Sequence, residues 1–337
     1  MGKRNITIKD IANELNVSVA TVSRALSGHP DISEKTKLLI VETARRMDYH
    51  PNLMASGLIK KKSKTIGVIV PTINRQFWSN TISGIEKTAH QAGYKVMICQ
   101  SDEQYSRERE NIELLANSMV DGLLIAISKQ TEHSDHIQRV ITRNIPVLMF
   151  ERVIDELPVS RVFTDDFNGA FQLVEHLIHG GCRRIAHITG PDTLKVCCRR
   201  LEGYRKALEK HGLPYREELI KIADFNHDAA RRATVELLEL PEPPDAIFGF
   251  ADIIAIGAIL ELKERGYSIP GQISVAGFGN DEVSALIEPS LTTMAQPSFV
   301  IGQKSAAMLI DELTAEHPQT RKTEIIKPEL IARASTR

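Results

Sequence analysis

Long apolar runs are missing from this 337-residue sequence: no stretch of about 18 apolar residues occurs, which excludes an ordinary membrane-spanning helix. The start, Met1-Gly2-Lys3-Arg4, leads into charged helical sequence without the apolar h-region of a signal peptide, so a cytosolic protein is expected. Cysteine is scarce. Cys99, Cys182, Cys197 and Cys198 are irregularly spaced, two of them vicinal, and make no disulfide framework. No His/Cys spacing completes a metal site and the 11 histidines show no H-E-x-x-H, so no metal or other cofactor is expected. Also absent are G-x-G-x-x-G, G-x-x-x-x-G-K-[ST] and the G-x-S-x-G elbow, which counts against an enzyme on a doubly wound sheet.

What is present is ordinary globular material, 42% hydrophobic and 25% charged, in a chain long enough for two or three folding units. The net charge of −1 conceals an asymmetry. Residues 1–64 hold 12 Lys/Arg and 6 Asp/Glu, leaving 30 and 37 for the remainder. A basic N-terminal piece on an acidic body suggests that the small piece meets a polyanion, although charges also cluster by chance.

In the N-terminal piece, Thr7-Ile8-Lys9-Asp10 has the form of a capping box, which predicts a helix beginning after Thr7 with Ile8, Ile11, Ala12 and Leu15 on its apolar face. Asn16-Val17 breaks the pattern. Ser18 can cap a second helix to about Leu26, and Ser33 a third carrying Leu38, Val41 and Ala44 to Met47. Three short helices with a tight turn between the first two make a helix-turn-helix arrangement. In the second helix Val22, Ala25 and Leu26 share the core face, joined by Val17. The other side shows Ala20, Ser23 and Arg24, with Val19 at its margin. Arg24 can offer a bidentate fork to a guanine edge, small apolar groups suit a thymine methyl, and the Ser18 and Thr21 hydroxyls suit phosphate. A solvated helix without a ligand is the competing reading. The lysine cluster Lys60-Lys61-Lys62-Ser63-Lys64 reads either as a bare linker or as a phosphate-tracking segment.

Ile8-Lys9-Asp10-Ile11-Ala12, Val17-Ser18-x-x-Thr21-Val22-Ser23-Arg24, and Tyr49-x-Pro51-Asn52 with Ala55 and Leu58 resemble the headpiece of the lactose-repressor/galactose-repressor (LacI) family. The resemblance implies DNA contacts from Thr7, Ser18, Val19, Ala20, Thr21, Ser23 and Arg24. It also implies a hinge helix over Asn52–Leu58 that forms on operator DNA, with contacts from Asn52 and Ala55 and with Leu58 wedged into the minor groove. Val19 and Ala20 stand where relatives differ according to operator. Ser56 departs from the Arg frequent there.

From Thr65 short apolar strand candidates alternate with amphipathic helices: Thr65–Val70, Lys95–Cys99, Gly122–Ile127, Val147–Phe150, Arg161–Thr164, Arg184–Ile188, Ala246–Phe250, Ile273–Ala276 and Thr292–Ala295. Helices are predicted between them, among them Trp78–Ala92, Phe167–His179, Arg200–Lys210 and Ile253–Arg265. The pattern predicts parallel sheets covered on both faces, in two lobes. Val120-Asp121-Gly122-Leu123-Leu124, Gly190-Pro191, Arg200-Leu201-x-Gly203-Tyr204, Pro289-x-Leu291-Thr292-Thr293 and Glu329-Leu330-Ile331-Ala332-Arg333 resemble the effector-binding core of the same family, itself similar to periplasmic sugar-binding proteins.

Ligands of such folds sit at the carboxyl ends of the strands. Phe77 and Trp78, the only Trp, follow the first strand and offer stacking area, or are ordinary core aromatics. Glu151, before Arg152, can accept sugar hydroxyls or form a solvated ion pair. Asp165 either joins the site or caps the next helix. The resemblance implies that Arg200 binds effector and that Phe225 and Asp252 line the pocket, Asp252 reading equally as a helix cap. Gly279 stands where relatives carry an acid, so Asn280 or Asp281 is expected to take over its hydrogen bond. Cys197-Cys198 suggests a redox or metal sensor only weakly.

The expected fold is an all-α helix-turn-helix DNA-binding headpiece (1–50), a hinge helix and linker (51–63), and an α/β core of two doubly wound, periplasmic-binding-protein-like subdomains (64–337). Those subdomains are expected over 64–162 plus 293–320 and over 163–292 plus 321–337. The expected function is a transcriptional regulator, read as a repressor and as a homodimer or higher oligomer, with release from DNA by a sugar or sugar acid as the mode commoner in the family. Its affinity for double-stranded operator DNA would be set by a sugar-like effector, with no membrane partner. The alternatives are a sugar-binding module without operator function and a doubly wound enzyme.

Overall fold

A computed structural model describes residues 6–49, 63–317 and 320–337, in two compact units, 1–63 and 64–337, each of which is taken by itself. Among the described residues no helix is long and apolar enough to cross a membrane.

The first unit holds α1 (Ile8–Glu14), α2 (Val19–Leu26) and α3 (Glu34–Arg46). The Thr7 amide and hydroxyl both donate to Asp10 Oδ2 at 2.7 Å, which closes the front of α1 as the Thr-x-x-Asp spacing requires. Asn16 adopts a left-handed φ of 52°, turning the chain between α1 and α2. Ser18 Oγ then accepts from the Thr21 amide at 3.0 Å, and Ser33 Oγ from that of Thr36 at 3.3 Å. Ile11, Ala12, Val22, Ala25, Ile40 and Ala44 form the core. The third helix lies where Ser33 and Met47 were expected to bound it; on it Ala44 is buried, while Leu38 is 63% and Val41 40% exposed. Ile40 and Ala44, four apart, define the inward stripe, and at 100° per residue Leu38 falls on the far side. The proposed hinge residues Asn52, Ala55 and Leu58 lie outside the described residues.

The second unit contains two six-stranded sheets. The chain builds the first through β1 (Thr65–Val70), α4 (Gln76–Gln91), β2 (Lys95–Gln100), α5 (Tyr105–Asn117), β3 (Gly122–Ile125), α6 (Asp135–Thr142), β4 (Val147–Phe150) and β5 (Ser160–Thr164). It crosses to the second for α7 (Asp166–His179), β6 (Ile185–Thr189), α8 (Lys195–Lys210), β7 (Ile220–Ile222), α9 (His227–Leu238), β8 (Ala246–Gly249), α10 (Asp252–Glu264), β9 (Ser274–Gly279), α11 (Glu282–Leu286) and β10 (Thr292–Ala295). It returns for α12 (Ser298–Thr314) and β11 (Thr323–Ile326), and ends in the second sheet with β12 (Glu329–Ile331). The orders are β11-β5-β4-β3-β1-β2 and β12-β10-β9-β8-β6-β7, all parallel except β12 against β10. Strands such as β3, β4 and β8 are buried at every residue, the condition of parallel strands covered on both faces.

The expected lobe boundaries need correction. β5 stays paired with β11 to Thr164, two residues beyond the end of its pairing with β4, so the first crossing follows 164 rather than 162. β10 pairs with β9 from Thr292 to Ala295, so the second crossing follows 295 rather than 292. Residues 323–326 belong to the first sheet, not the second, because β11 extends its edge beside β5. Strand β9 also continues through Gly279, three residues past the expected end at Ala276.

Candidate functional site

The carboxyl ends of β1, β4, β8, β9 and β10 face one cavity between the two sheets, with about 620 Å³ of space when its opening to solvent is included. Phe77 and Trp78 lie in the first turn of α4, just past β1. Trp78 is 4% exposed and packs edge-on against Phe77 (centroids 5.0 Å) and Phe150 (6.1 Å). The Arg152 guanidinium lies over its ring at 5.4 Å, and over Phe225 from the other lobe at 5.0 Å. Trp78 is therefore more wall than open stacking plate. Glu151 follows β4 with φ 54°, a left-handed conformation unusual for a side chain of this size. Its Oε2 accepts from the Thr164 hydroxyl at 2.9 Å, and its Oε1 from Gln296 Nε2 at 2.6 Å.

On the other wall Arg200 lies inside α8, which begins at Lys195 rather than at Arg200 as expected. Its Nε and Nη2 donate to Asp166 Oδ1 at 2.8 and 2.6 Å, and its Nη1 to the Phe250 carbonyl at 2.5 Å. Phe278 lies beneath it at 3.7 Å and Glu151 at 3.9 Å. Burial raises the Asp166 carboxyl to about 7 against the pull of Arg200, and the Glu151 carboxylate adds to the rise. Asp252 is the first residue of α10 rather than its cap, which is Ala251. Its Oδ1 accepts from Thr293 at 2.5 Å, and its Oδ2 from Ser284 (2.6 Å) and the Asp281 amide (2.9 Å). Burial raises its carboxyl above the ordinary value, opposed by those donors. The Asp281 carboxyl is pushed up to about 6 by burial and by Asp252, while Arg75 pulls it down.

Phe77, Trp78, Glu151, Arg200, Phe225, Asp252 and Asp281 all line the cavity. Asn280 does not, which corrects its place in the site: left-handed at φ 60°, its Oδ1 accepts from Arg333 Nη2 at 2.7 Å. Asp165 caps α7 through the Asn168 amide at 3.2 Å. Arg75, Phe250, Phe278 and Gln296 were not singled out from the sequence, although Phe250 and Gln296 directly follow strands and that position was a usable signal. Cys197 is buried behind the wall, its thiol pushed up to about 12 by burial, which suits packing rather than redox chemistry. Among the described residues no group of His, Cys, Asp and Glu is placed to hold a metal ion.

Contacts across the crevice tie the lobes together. Lys129 meets Asp224 at 2.5 Å, and Asp155 takes Lys195 at 3.0 Å and Arg199 at 3.3 Å. The Glu282 amide donates to Gln76 Oε1 at 2.6 Å, and Arg75 Nη2 donates to the Phe225 carbonyl. In the headpiece, Ser18, Val19, Ala20, Ser23 and Arg24 are all exposed beside half-buried Thr21, and Thr7 is exposed at the start of α1. The Ser18 and Thr21 hydroxyls bond each other at 2.8 Å.

Residues 63–333 match the family described as periplasmic binding proteins and sugar binding domain of the LacI family, and residues 7–52 match bacterial regulatory proteins of the lacI family. The chain belongs to the LacI family. Similar LacI-type proteins include the HTH-type transcriptional repressor CytR of Escherichia coli strain K12, 35% identical over 98% of this chain and 96% of that repressor. Another is catabolite control protein A of Priestia megaterium, 32% identical over 93% of this chain and 94% of its own length. Among solved structures, the lac repressor dimer bound to operator and the anti-inducer ONPF matches with a TM-score of 0.87 at 25% identity, covering 98% of this chain and 99% of that one. This LacI-family chain is a transcriptional regulator: a DNA-binding headpiece ahead of a core of two parallel α/β lobes.

Proposed function

We propose that the protein represses transcription as a homodimer, with α2 of each headpiece reading a half-site and a small molecule in the interlobe cavity setting operator affinity. The observation that carries this reading is the cavity itself. It lies at the carboxyl ends of the strands and is walled by charged and aromatic side chains from both lobes, so an occupant has different contacts when the lobes move. Differential affinity for two lobe arrangements is the only way a ligand can shift their balance. A sugar or sugar derivative fits the mixture of acceptors (Glu151, Asp252, Asp281), donors (Arg200, Gln296) and ring faces. On DNA, Arg24 reads a base edge, Val19, Ala20 and Ser23 face the groove, and Thr7, Ser18 and Thr21 approach phosphates. The relatives are transcriptional repressors, so we read the protein as a regulator rather than an enzyme, working in the cytoplasm where operator DNA is.

Selection of duplexes from a random pool by the full chain tests the reading. An enriched two-fold-symmetric site, with half-sites about one helical turn apart, is expected. No enrichment over random sequence would refute it.

A further inference from the structure

Most charges lining the cavity are committed within the protein. Arg200 is held by Asp166, Arg152 Nη1 by Glu103 Oε2 at 2.7 Å, Asp252 by three donors, and Glu151 by Thr164 and Gln296. Arg75 is different. It precedes α4 from the first lobe, and the one side-chain hydrogen bond it makes among the described residues goes to the Phe225 carbonyl of the second. No carboxylate among those residues lies within ion-pair distance of it. The Arg75 and Arg152 guanidiniums both lie over the Phe225 ring, at 5.9 and 5.0 Å, so two cations share one end of the cavity, and the one ion pair between them among the described residues is that of Arg152 with Glu103.

A partly buried guanidinium without an anion has given up hydration for one carbonyl contact. Burial lowers its hold on the proton, and Arg152 adds to that, against the longer-range attraction of Glu103, Asp281 and Asp224, none of which is in contact with it. A planar fork in this condition is best matched by a bidentate anion. We propose that the effector is an anionic sugar derivative, a sugar phosphate or sugar acid, whose charged group seats on Arg75 beside Arg152 with its hydroxyls toward Asp281 and Glu151. This rests on the cavity being the effector site. Asp281, on the opposite wall, also has no ion pair among the described residues, and suits a hydroxyl rather than a second anion. Arg75 thereby becomes the specificity-determining residue. Because it already reaches Phe225 across the crevice, an anion on it would also bear on how the lobes are joined.

Trp78, the only Trp in the chain, lies in the cavity wall under Arg152, so its fluorescence reports occupancy without a label. The full chain is titrated with glucose 6-phosphate, gluconate, inorganic phosphate and glucose. At least one anion is expected to change Trp78 emission saturably, at a concentration at least tenfold below glucose. The tighter of glucose 6-phosphate and gluconate distinguishes phosphate from carboxylate. Arg75→Gln should abolish the preference and Arg75→Lys should keep part of it, with unchanged thermal midpoints showing that both variants fold. Glucose equalling the anions, no anion acting at all, or an anion response indifferent to Arg75→Gln would each overturn the proposal. Failure of the regulator reading is separate, because it appears as absent DNA selection by the unliganded chain.

Discussion

Arg200 spends its donors on the protein before any effector arrives: two on Asp166 and one on the Phe250 carbonyl. Truncation then acts first on folding. Arg200→Ala leaves Asp166 buried without its partner, and the expected loss of stability is about 3 kcal/mol, read from a shifted urea midpoint. Asp166→Asn should cost less, because a carboxyl raised to about 7 is already partly neutral at physiological pH. A midpoint for Arg200→Ala equal to wild type would mean the pair is not formed in solution. Arg24, exposed on α2, has no such internal duty. Arg24→Ala should cost about 1–3 kcal/mol on the selected operator and far less on random duplex. Equal losses in a gel shift would make it a phosphate contact.

At the scale of elements, the closest helix packing in the first lobe is between α4 and α12, which meet at glycines. A Cβ on Gly302 would overlap the Thr81 carbonyl, and one on Gly84 that of Phe299, so each helix lets the other's backbone come close. α4 carries Phe77 and Trp78 on its first turn, and its seating on α12 thus fixes the depth of the cavity wall. Gly302→Ala should destabilise by about 1–3 kcal/mol, since backbone rather than a flexible side chain would have to yield. Thermal unfolding reads the stability, and a blue or red shift of Trp78 emission should accompany it. An unchanged midpoint would mean that the two helices separate without cost.

At the scale of the whole molecule, stability should depend on pH through His187, fully buried between Tyr204 and Phe248. Its Nδ1 lies 2.9 Å from the Phe248 carbonyl and Nε2 has no partner, so the neutral ring fits with the proton on Nδ1. Burial lowers its pKa from 6.5 to about 4, the carbonyl opposing. The unfolded chain therefore binds the proton more readily, and this contribution is complete above about 6.5 and lost as pH falls toward 4, by up to about 3 kcal/mol. Asp166 has the opposite sign: its raised pKa contributes at low pH, a contribution lost as pH rises from 3.8 to about 7. The informative comparison is wild type against His187→Phe, in which the Asp166 part cancels. The variant should lose less stability between pH 7 and 4.5 in urea titrations, and parallel curves would exclude His187 as a titrating group.

Local order in the chain was set by relations a few residues long. Thr7 and Asp10, Ser18 and Thr21, and Ser33 and Thr36 are each three apart, and a helix start needs nothing further away. Continuous apolar strands alternating with helices imply doubly wound sheets, and in such sheets the residue after each strand faces the crevice. Glu151, directly after β4, and Phe77, in the helix that follows β1, were therefore legible in the sequence as residues lining the cavity, whereas Asp281 was reached through the family departure at Gly279. What pairs with them was not. Arg200 finds Asp166 34 positions earlier and Phe250 50 positions later, and Arg75 reaches Phe225 150 positions away. Asn280 looked equivalent to Asp281 until Arg333, 53 residues on, took its oxygen. β11 and β12, three residues apart, entered different sheets because one edge in each remained open beside β5 and β10. Hydrophobic periodicity records which face of an element is buried, but carries no mark of which distant group will cover it. That assignment came from closing two sheets around one crevice.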